Sequence, residues 1–174
     1  VHSEHGVRCV NCHGGNAETR SLPAAHQGNF AGKLDKLGTV RVCGSCHSDE
    51  KKMQPYNLPV DQLALYQLSG HGVRLAKGDL RVAVCSDCHG AHDILSVNDT
   101  RSLSYPLNVA RTCGKCHGDK TTAAGEGTNE NIFDAYSRSV HARALLDRGN
   151  SRAPTCTSCH GTHGAVPPEF GDVD

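Results

Sequence analysis

The sequence predicts a fold that is mainly coil with short α-helices and little or no sheet, built around something other than a side-chain core. The first observation behind this prediction is a thin apolar supply, because Leu, Ile, Val and Phe together make up only 33 of the 174 residues. That share borders on the range of disordered chains. The second is a balance of 18 basic and 18 acidic side chains, so no net charge expands the chain. The third is a set of 10 Cys and 12 His, residue types that can hold an additional group in the interior.

Charge and hydropathy exclude two functional classes. A nucleic-acid binder needs a net basic face to neutralise phosphates, and the formal net charge here is zero. A transmembrane helix needs about 18 or more consecutive apolar residues, and the sequence has no such run. We therefore expect neither nucleic acid as a partner nor a transmembrane segment.

The cysteines form one repeated motif. All of them fall in five Cys-x-x-Cys pairs, and a histidine follows each pair at once. The motifs run over Cys9–His13, Cys43–His47, Cys85–His89, Cys113–His117 and Cys156–His160, with their second cysteines at Cys12, Cys46, Cys88, Cys116 and Cys159. Cys-x-x-Cys-His is the attachment signal for c-type haem. Two thiols at this spacing reach both vinyl groups of one porphyrin, and the adjacent imidazole takes one axial position on the iron.

Two other interpretations of the cysteines explain less of the pattern. Zinc sites usually combine two Cys-x-x-Cys pairs, and five is an odd number of pairs. A disulfide framework could use ten cysteines, but it gives no reason for a histidine after every pair. The sequence therefore predicts five covalently bound haem c groups, with no cysteine left for other chemistry.

On these motifs, which extend over most of the chain, the sequence resembles a multihaem c-type cytochrome of the group that includes small tetrahaem and pentahaem electron carriers. The resemblance implies covalent haem, electron transfer rather than an enzyme activity, and other redox proteins as electron donor and acceptor. It also implies assembly outside the cytoplasm, in a secreted protein of the periplasm or the cell exterior. A first residue that is Val fits a processed secretion leader, although a trimmed sequence would look the same.

An internal repeat of about 70 residues organises the chain. Cys43 and Cys113 are 70 positions apart, and Cys85 and Cys156 are 71 apart. The chain is accordingly predicted to be one pentahaem domain over 1–174, with a half repeat at 1–42 and two-haem repeats at 43–112 and 113–174. The Tyr-x-x-Ser-x-His pattern ending at His71 recurs at His141, and the His-Gly-x-His pattern ending at His92 recurs at His163. Asn16 stands where the half repeat would carry the equivalent of His92.

The histidines outnumber the proximal positions and supply distal ligands. The proximal ligands are His13, His47, His89, His117 and His160. The predicted distal ligands are His71, His141, His92, His163, His26 and His5, with His2 less favoured than His5. His92 and His163 lie too close to their neighbouring proximal histidines to reach the far face of the same ring, so each should serve another haem. Bis-histidine iron, without the single Met53, predicts low reduction potentials.

Periodicity predicts few elements. Helices are expected over Pro59–Ser69, Pro106–His117 and Asn129–Leu146, from apolar spacing and from proline at a helix start. The runs Val40–Val42 and Val82–Val84 look strand-like but are short. The remainder is expected to be loop.

The sequence favours an electron-transfer protein, whose bis-histidine irons have no open position for a substrate. His5 or His2 could complete a haem of an adjacent subunit, which would give a head-to-tail homopolymer that resembles extracellular cytochrome filaments. One alternative is a periplasmic electron-carrier subunit of a respiratory complex. The other is a multihaem reductase with one open haem, for which the first motif is the candidate because of Asn16.

Overall fold

The computed structural model of the protein describes residues 1–119, 121 and 131–166, and within these ranges the fold consists of helices and coil with no strand. This confirms the predicted fold class. The helices are α1 (Cys9–His13), α2 (Leu22–Ala25), α3 (Lys36–His47), α4 (Glu50–Met53), α5 (Gln62–Leu68), α6 (Gly70–Ala76), α7 (Cys85–His89), α8 (Pro106–His117), α9 (Ile132–Ser137), α10 (Val140–Ala142) and α11 (Cys156–His160). Turns of 3₁₀-helix lie at His2–His5 and Gln54–Tyr56, and a π-helical turn, Arg143–Asp147, follows α10.

The second and fourth motifs, here called the even motifs, occupy the last turns of the two longest described helices, α3 and α8. Asp35 begins α3 because its carboxylate accepts a hydrogen bond from the Gly38 amide at 2.6 Å. Pro106 begins α8 at the position where a missing N–H costs nothing. The prediction of a helix at Pro106–His117 is confirmed, whereas the strand-like reading of Val40–Val42 is wrong because these residues lie inside α3.

The first, third and fifth motifs, here called the odd motifs, form the short helices α1, α7 and α11. In each, the residue before the second cysteine accepts a hydrogen bond from the amide that precedes the motif, over 2.7 to 3.0 Å. The accepting residues are Asn11, Asp87 and Ser158. A glycine with positive φ, between 68° and 81°, follows each proximal histidine and ends the helix.

Serine caps set the helices that carry His71 and His141. The hydroxyl of Ser69 accepts from the Gly72 amide, and the hydroxyl of Ser139 accepts from the Ala142 amide, both at 3.1 Å. Ser69 thus ends α5 and begins α6, and Ser139 begins α10 two residues after the end of α9. The helix predicted at Pro59–Ser69 begins three residues later than expected, at Gln62.

The helix predicted over Asn129–Leu146 is interrupted. Its first residues lie outside the described part of the chain, and the remainder is divided by Ser139 into α9 and α10. The serine cap explains the break, because Ser139 has extended backbone angles and turns the chain there.

Two small apolar clusters hold the repeat units together. The first consists of Val40, Leu75, Val82 and Val84, and the second of Ala110, Leu145 and Ala153. The chain leaves 12,182 Å² accessible to solvent. A monomer of its 18.5 kDa mass is expected to expose about 8,200 Å². Its side chains alone therefore enclose much less surface than is usual, as the sequence predicted.

Candidate haem-binding sites

The odd motifs orient their proximal imidazoles through backbone carbonyls. Nδ1 of His13 lies 2.7 Å from the carbonyl oxygen of Gly32, and Nδ1 of His160 lies 2.9 Å from that of Val166. A carbonyl can only accept, so Nδ1 carries the proton in both rings. The lone pair of each ring is then on Nε2, which is the atom that can bind a metal.

A serine hydroxyl fixes the same tautomer in His89, with the proton on Nδ1. Its Nδ1 lies 3.2 Å from Oγ of Ser104, and that hydroxyl donates its single proton to the Cys88 carbonyl at 2.9 Å. Ser104 must therefore accept from Nδ1 of His89. All three odd proximal imidazoles present Nε2 as a ligand.

Four pairs of imidazoles are separated by a fixed gap. The ring centroids lie 6.0 to 6.1 Å apart in every pair. The pairs are His13 with His92, His47 with His2, His89 with His163, and His117 with His71. Rings in direct contact approach more closely, as His26 and Phe30 do at 4.2 Å.

The 6 Å spacing fits two imidazoles on opposite sides of one metal. Imidazole–metal bonds are about 2 Å long, and adding the distance from each nitrogen to its ring centre gives a separation of roughly 6 Å. The interplanar angles vary from 24° to 61°, which such ligation permits because each ring can rotate about its metal bond. The residues present therefore fit bis-histidine haem c at the first four motifs.

The structure brings some of the predicted distal ligands to a proximal histidine. His92 and His163 each lie opposite the proximal histidine of another motif. His2 lies opposite His47, although the sequence favoured His5. The overlooked signal is spacing, because His2 precedes His47 by 45 positions and His71 precedes His117 by 46.

Three predicted distal ligands do not lie opposite the imidazole of a proximal histidine. His5 contacts Tyr56 with ring centroids 4.7 Å apart, and His26 stacks on Phe30. His5, His26 and His141 are all exposed. The twelve histidines all lie within the described residues, and among them no ring pair includes His141 or the proximal His160.

Burial keeps several of the paired imidazoles neutral. Desolvation is the largest cause that lowers the pKa of His2, His47, His89 and His163. The second cause for His2 is the nearby His47, and for both His47 and His89 it is the nearby His163. Only the neutral ring has a lone pair for a metal, so the depressed pKa favours ligation.

Thiols of different motifs meet at two equivalent places. The Cys43 thiol is hydrogen-bonded to that of Cys85, and this bond raises the pKa of Cys43 and lowers that of Cys85 to about 7. Cys113 and Cys156 form the same pair, with the pKa of Cys156 also lowered to about 7. In agreement, α3 packs against α7, and α8 packs against α11.

The remaining pairs of successive motifs interact through their second cysteines. After burial, the charge of Cys46 is the largest cause that raises the pKa of Cys12. Cys116 contributes in the same sense to the raised pKa of Cys88, after burial and the neighbours of Cys88 in its own motif. Each motif therefore lies beside the next one along the chain, through first cysteines and second cysteines in alternation.

The cysteines form neither a metal-ion cluster nor a disulfide in the described part of the chain. No cluster of three or more His, Cys, Asp or Glu side chains that could hold a metal ion occurs within 1–119, 121 and 131–166. All ten cysteines lie within those ranges and are free thiols.

In the same part of the chain, no helix has the length and apolar character needed to cross a membrane.

Comparisons with known proteins point to the same chemistry. The family described as "Cytochrome c7 and related cytochrome c" matches residues 69–161, which is more than half of the chain. The chain is also similar to "Multiheme cytochrome MtrA" of Shewanella baltica (strain OS185), with 27% identity over 146 residues, covering 79% of this chain and 43% of that protein. It thus spans less than half the length of that relative. No solved structure matches the chain.

Proposed function

Because the chain belongs to the family of cytochrome c7 and related cytochromes c, we propose that it binds five haem c groups and carries electrons along them in single file. Proteins of this family are multihaem electron carriers and not enzymes, so electron transfer is the established part of this function. The number of haems, their ligands and their order are the proposed part.

The observation that carries the proposal is the set of four imidazole pairs at 6.0 to 6.1 Å. Haem c supplies one-electron redox chemistry at its iron. The cysteines of each motif would hold the porphyrin edge, and the paired histidines would hold the iron from both faces. Nδ1 bonds such as that from His13 to Gly32 fix the imidazole orientation and increase its basicity. Ligation by histidine without methionine favours low reduction potentials.

The linear order rests on the thiol contacts between successive motifs. They join the second and third motifs through Cys43 and Cys85, and the fourth and fifth through Cys113 and Cys156. The interaction between Cys88 and Cys116 crosses the predicted boundary at 112/113, which supports the proposal that the chain forms one pentahaem domain.

The proposed location is the periplasm or the cell exterior, and the proposed partners are redox proteins that donate and accept electrons. Covalent attachment of c-type haem is completed outside the cytoplasm, as the resemblance implies. An electron-carrier subunit of a respiratory complex would use the same ligands and would differ only in its partner. A purified particle of fixed composition with a second protein would identify that role.

Two alternatives differ in assembly or chemistry. A head-to-tail filament would let His5 of one subunit complete the fifth site of the next, and the exposure of His5 favours this. Electron microscopy of the purified protein tests for filaments. A reductase with an open first haem is disfavoured, because the His13 and His92 imidazoles have ligand spacing.

Mass spectrometry of the intact chain, produced with c-type haem maturation, tests the proposed cofactor content. We expect five covalent haem additions. A Cys113→Ser/Cys116→Ser variant should lose one addition and keep the other four. Fewer than five additions to the unaltered chain, or bound zinc, would contradict the proposal.

Matched histidine variants test the ligand assignment. His2→Ala should convert one ferric haem from low to high spin in the electron paramagnetic resonance spectrum, because His47 loses its opposing ring. His5→Ala changes an exposed imidazole three residues away and should leave the spectrum unchanged. The reverse result would assign His5 to the site instead.

A further inference from the structure

The proximal histidine of the third motif is anchored on a side chain, whereas those of the other odd motifs are anchored on the backbone. In the first motif Nδ1 of His13 lies 2.7 Å from the carbonyl oxygen of Gly32, and the fifth motif has the same arrangement at 2.9 Å. Nδ1 of His89 instead lies 3.2 Å from the hydroxyl oxygen of Ser104. This distance is at the long end of the range for an N–H donor, and a hydroxyl accepts more weakly than an amide carbonyl. The hydrogen bond of His89 is therefore the weakest of the three.

The Ser104 hydroxyl has a fixed orientation. It donates its proton to the carbonyl of Cys88 at 2.9 Å, so that only its lone pairs are directed to Nδ1 of His89. Cys88 would hold the porphyrin edge and His89 would hold the iron from one face. Ser104 thus contacts both residues through which the third motif would bind its haem.

The loop that carries Ser104 is fastened to α8. Thr112 donates through its hydroxyl to the Leu103 carbonyl at 2.9 Å, and Asn108 donates through its amide to the Ser102 carbonyl at 2.8 Å. Ser102 is only 3% exposed, and its hydroxyl accepts from the Ser104 amide at 3.2 Å. Because α8 ends in the fourth motif, the helix of one motif positions the side chain that anchors the proximal histidine of the preceding motif.

The strength of this hydrogen bond bears on the reduction potential. A strong acceptor at Nδ1 makes an imidazole more basic. A more basic ligand stabilises ferric iron more than ferrous iron and so lowers the potential, which is one of the means by which a protein tunes haem. The weaker acceptor at His89 should therefore leave the third site with a higher potential than a carbonyl at the same place would give.

We propose that Ser104 is a positioning residue that sets the reduction potential of the third haem. It orients the His89 imidazole and, by accepting only a weak hydrogen bond, holds the potential above the value that a carbonyl acceptor would give. This inference rests on the proposed function, since it requires haem at the third motif. That motif is the middle one of the proposed single file, so this side chain adjusts a site that every electron must pass.

Two substitutions of Ser104 should shift the third potential in opposite directions. Ser104→Ala removes the acceptor and should raise the potential, whereas Ser104→Asn offers an amide carbonyl and should lower it. We expect each to change the ratio of reduced to oxidised third haem, at a fixed solution potential, by up to about tenfold, which is a shift of about 59 mV. Ser104→Thr keeps the hydroxyl and should restore the unaltered value. A purely structural role would move the alanine and asparagine variants in the same direction.

The potentials are measured by redox titration of the purified protein. Nuclear magnetic resonance follows each haem through its ring-methyl signals, and contacts with Cys88 assign the third. Electron paramagnetic resonance gives a second readout, because the g values of a low-spin haem depend on the angle between its two imidazoles. The rings of His89 and His163 are inclined by 24°. Ser104→Ala frees the His89 ring to turn and should change the g values of one haem.

Asn108→Ala is the matched control for the loop. It removes a fastening of the loop without touching His89, while the bond from Thr112 to Leu103 still holds the residue next to Ser104. We expect a lower thermal unfolding temperature and unchanged potentials. An equal shift of the third potential in Asn108→Ala would overturn the proposal, and so would no shift, or shifts of one sign, in the alanine and asparagine variants of Ser104.

Haem counts by mass spectrometry separate this inference from the proposed function. Fewer than five haems in the unaltered chain would contradict the proposed function itself. Five haems whose third potential does not respond to Ser104 would overturn the inference alone. Should Ser104→Ala fail to retain its third haem, the difference between Ser104→Asn and Ser104→Thr carries the same test.

Discussion

The two apolar clusters keep equivalent contacts with different side chains. In the first cluster Val40 packs with Leu63, and in the second cluster Ala110 and Phe133 occupy the same places. A smaller helix residue is thus matched by a larger partner. The difference teaches that the space between the helices is preserved rather than the residue types that fill it, as tolerant cores generally show.

The turns after α6 and α10 differ more. In the first unit the Asp79 carboxylate accepts hydrogen bonds from Arg74 at 2.7 Å and from Arg81 at 3.0 Å. In the second unit Gly149, with a φ of 64°, stands at the place of Asp79 and follows the π-helical turn. Both turns contain a glycine in the left-handed region, Gly78 with a φ of 88° and Gly149, and in the first unit the hydrogen bonds of Asp79 are added to it.

The largest expected loss of stability comes from the buried leucine that each cluster contains at the equivalent position. Leu75 and Leu145 are 4% and 0% exposed. Leu75→Ala and Leu145→Ala should each destabilise the holoprotein by about 2–5 kcal/mol in urea unfolding, through lost burial and a cavity. Leu68→Ala is the control, at a side chain that is 73% exposed. A loss in one unit only would show that the two clusters are not equivalent.

Alanine substitutions at the glycines of the even motifs should lower the stability of the protein by different amounts. A Cβ on Gly44 would lie 2.6 Å from one methyl of Leu63, whereas a Cβ on Gly114 would lie within 3.0 Å of three ring atoms of Phe133. A leucine tip can rotate away, but a ring cannot. We expect Gly114→Ala to cost about 2–3 kcal/mol through overpacking, and Gly44→Ala less than about 1 kcal/mol after the gain in helix propensity.

Urea unfolding of both glycine variants, followed by haem absorbance, measures this difference. Equal losses would mean that Leu63 is held as firmly as Phe133. An unchanged stability for Gly114→Ala would contradict the close approach of α8 and α9.

Phenylalanine substitutions at two equivalent tyrosines should give a smaller difference in stability. The Tyr66 hydroxyl donates to the Ala83 carbonyl, and the Tyr136 hydroxyl to that of Pro154, both at 2.9 Å. The first bond is part-buried and the second is exposed. Tyr66→Phe should therefore cost about 1 kcal/mol, and Tyr136→Phe less, because water replaces the lost donor at the exposed carbonyl. Thermal unfolding of the two variants in parallel measures both losses of stability. A larger loss for Tyr136→Phe than for Tyr66→Phe would contradict the prediction.

The smallest effect concerns Asp79 and depends on pH. Hydrogen bonds from Arg81, and then from Arg74, hold the pKa of Asp79 well below its ordinary value. A depressed folded-state pKa stabilises the protein above the unfolded value, and this gain is lost as pH falls through the folded-state pKa. Asp79→Asn should lower the urea midpoint slightly at pH 7, and the gap from wild type should close in strong acid. A gap that persists there would assign the effect to something other than ionisation.

The sequence could predict the motifs, the repeat and the helix at α8, because these depend on local patterns. It misread Val40–Val42, since three alternating residues cannot distinguish a strand from a helix whose cap at Asp35 lies five positions earlier. The division at Ser139 was also missed, because a serine cap inside an apolar pattern looks like an ordinary helical position. The distance between two rings of different units, as for His2 and His47, has no local signature at all.

The shared hydrogen bond between thiols of neighbouring motifs has a consequence for biosynthesis. Thiols that share a hydrogen bond, as those of Cys43 and Cys85 do, can also oxidise to each other in an oxidising compartment. A disulfide formed there would lock two motifs together before either received its porphyrin. Under the proposed function, oxidation of these thiols would compete with haem attachment, and a reductant that delays oxidation should raise the yield of fully loaded protein.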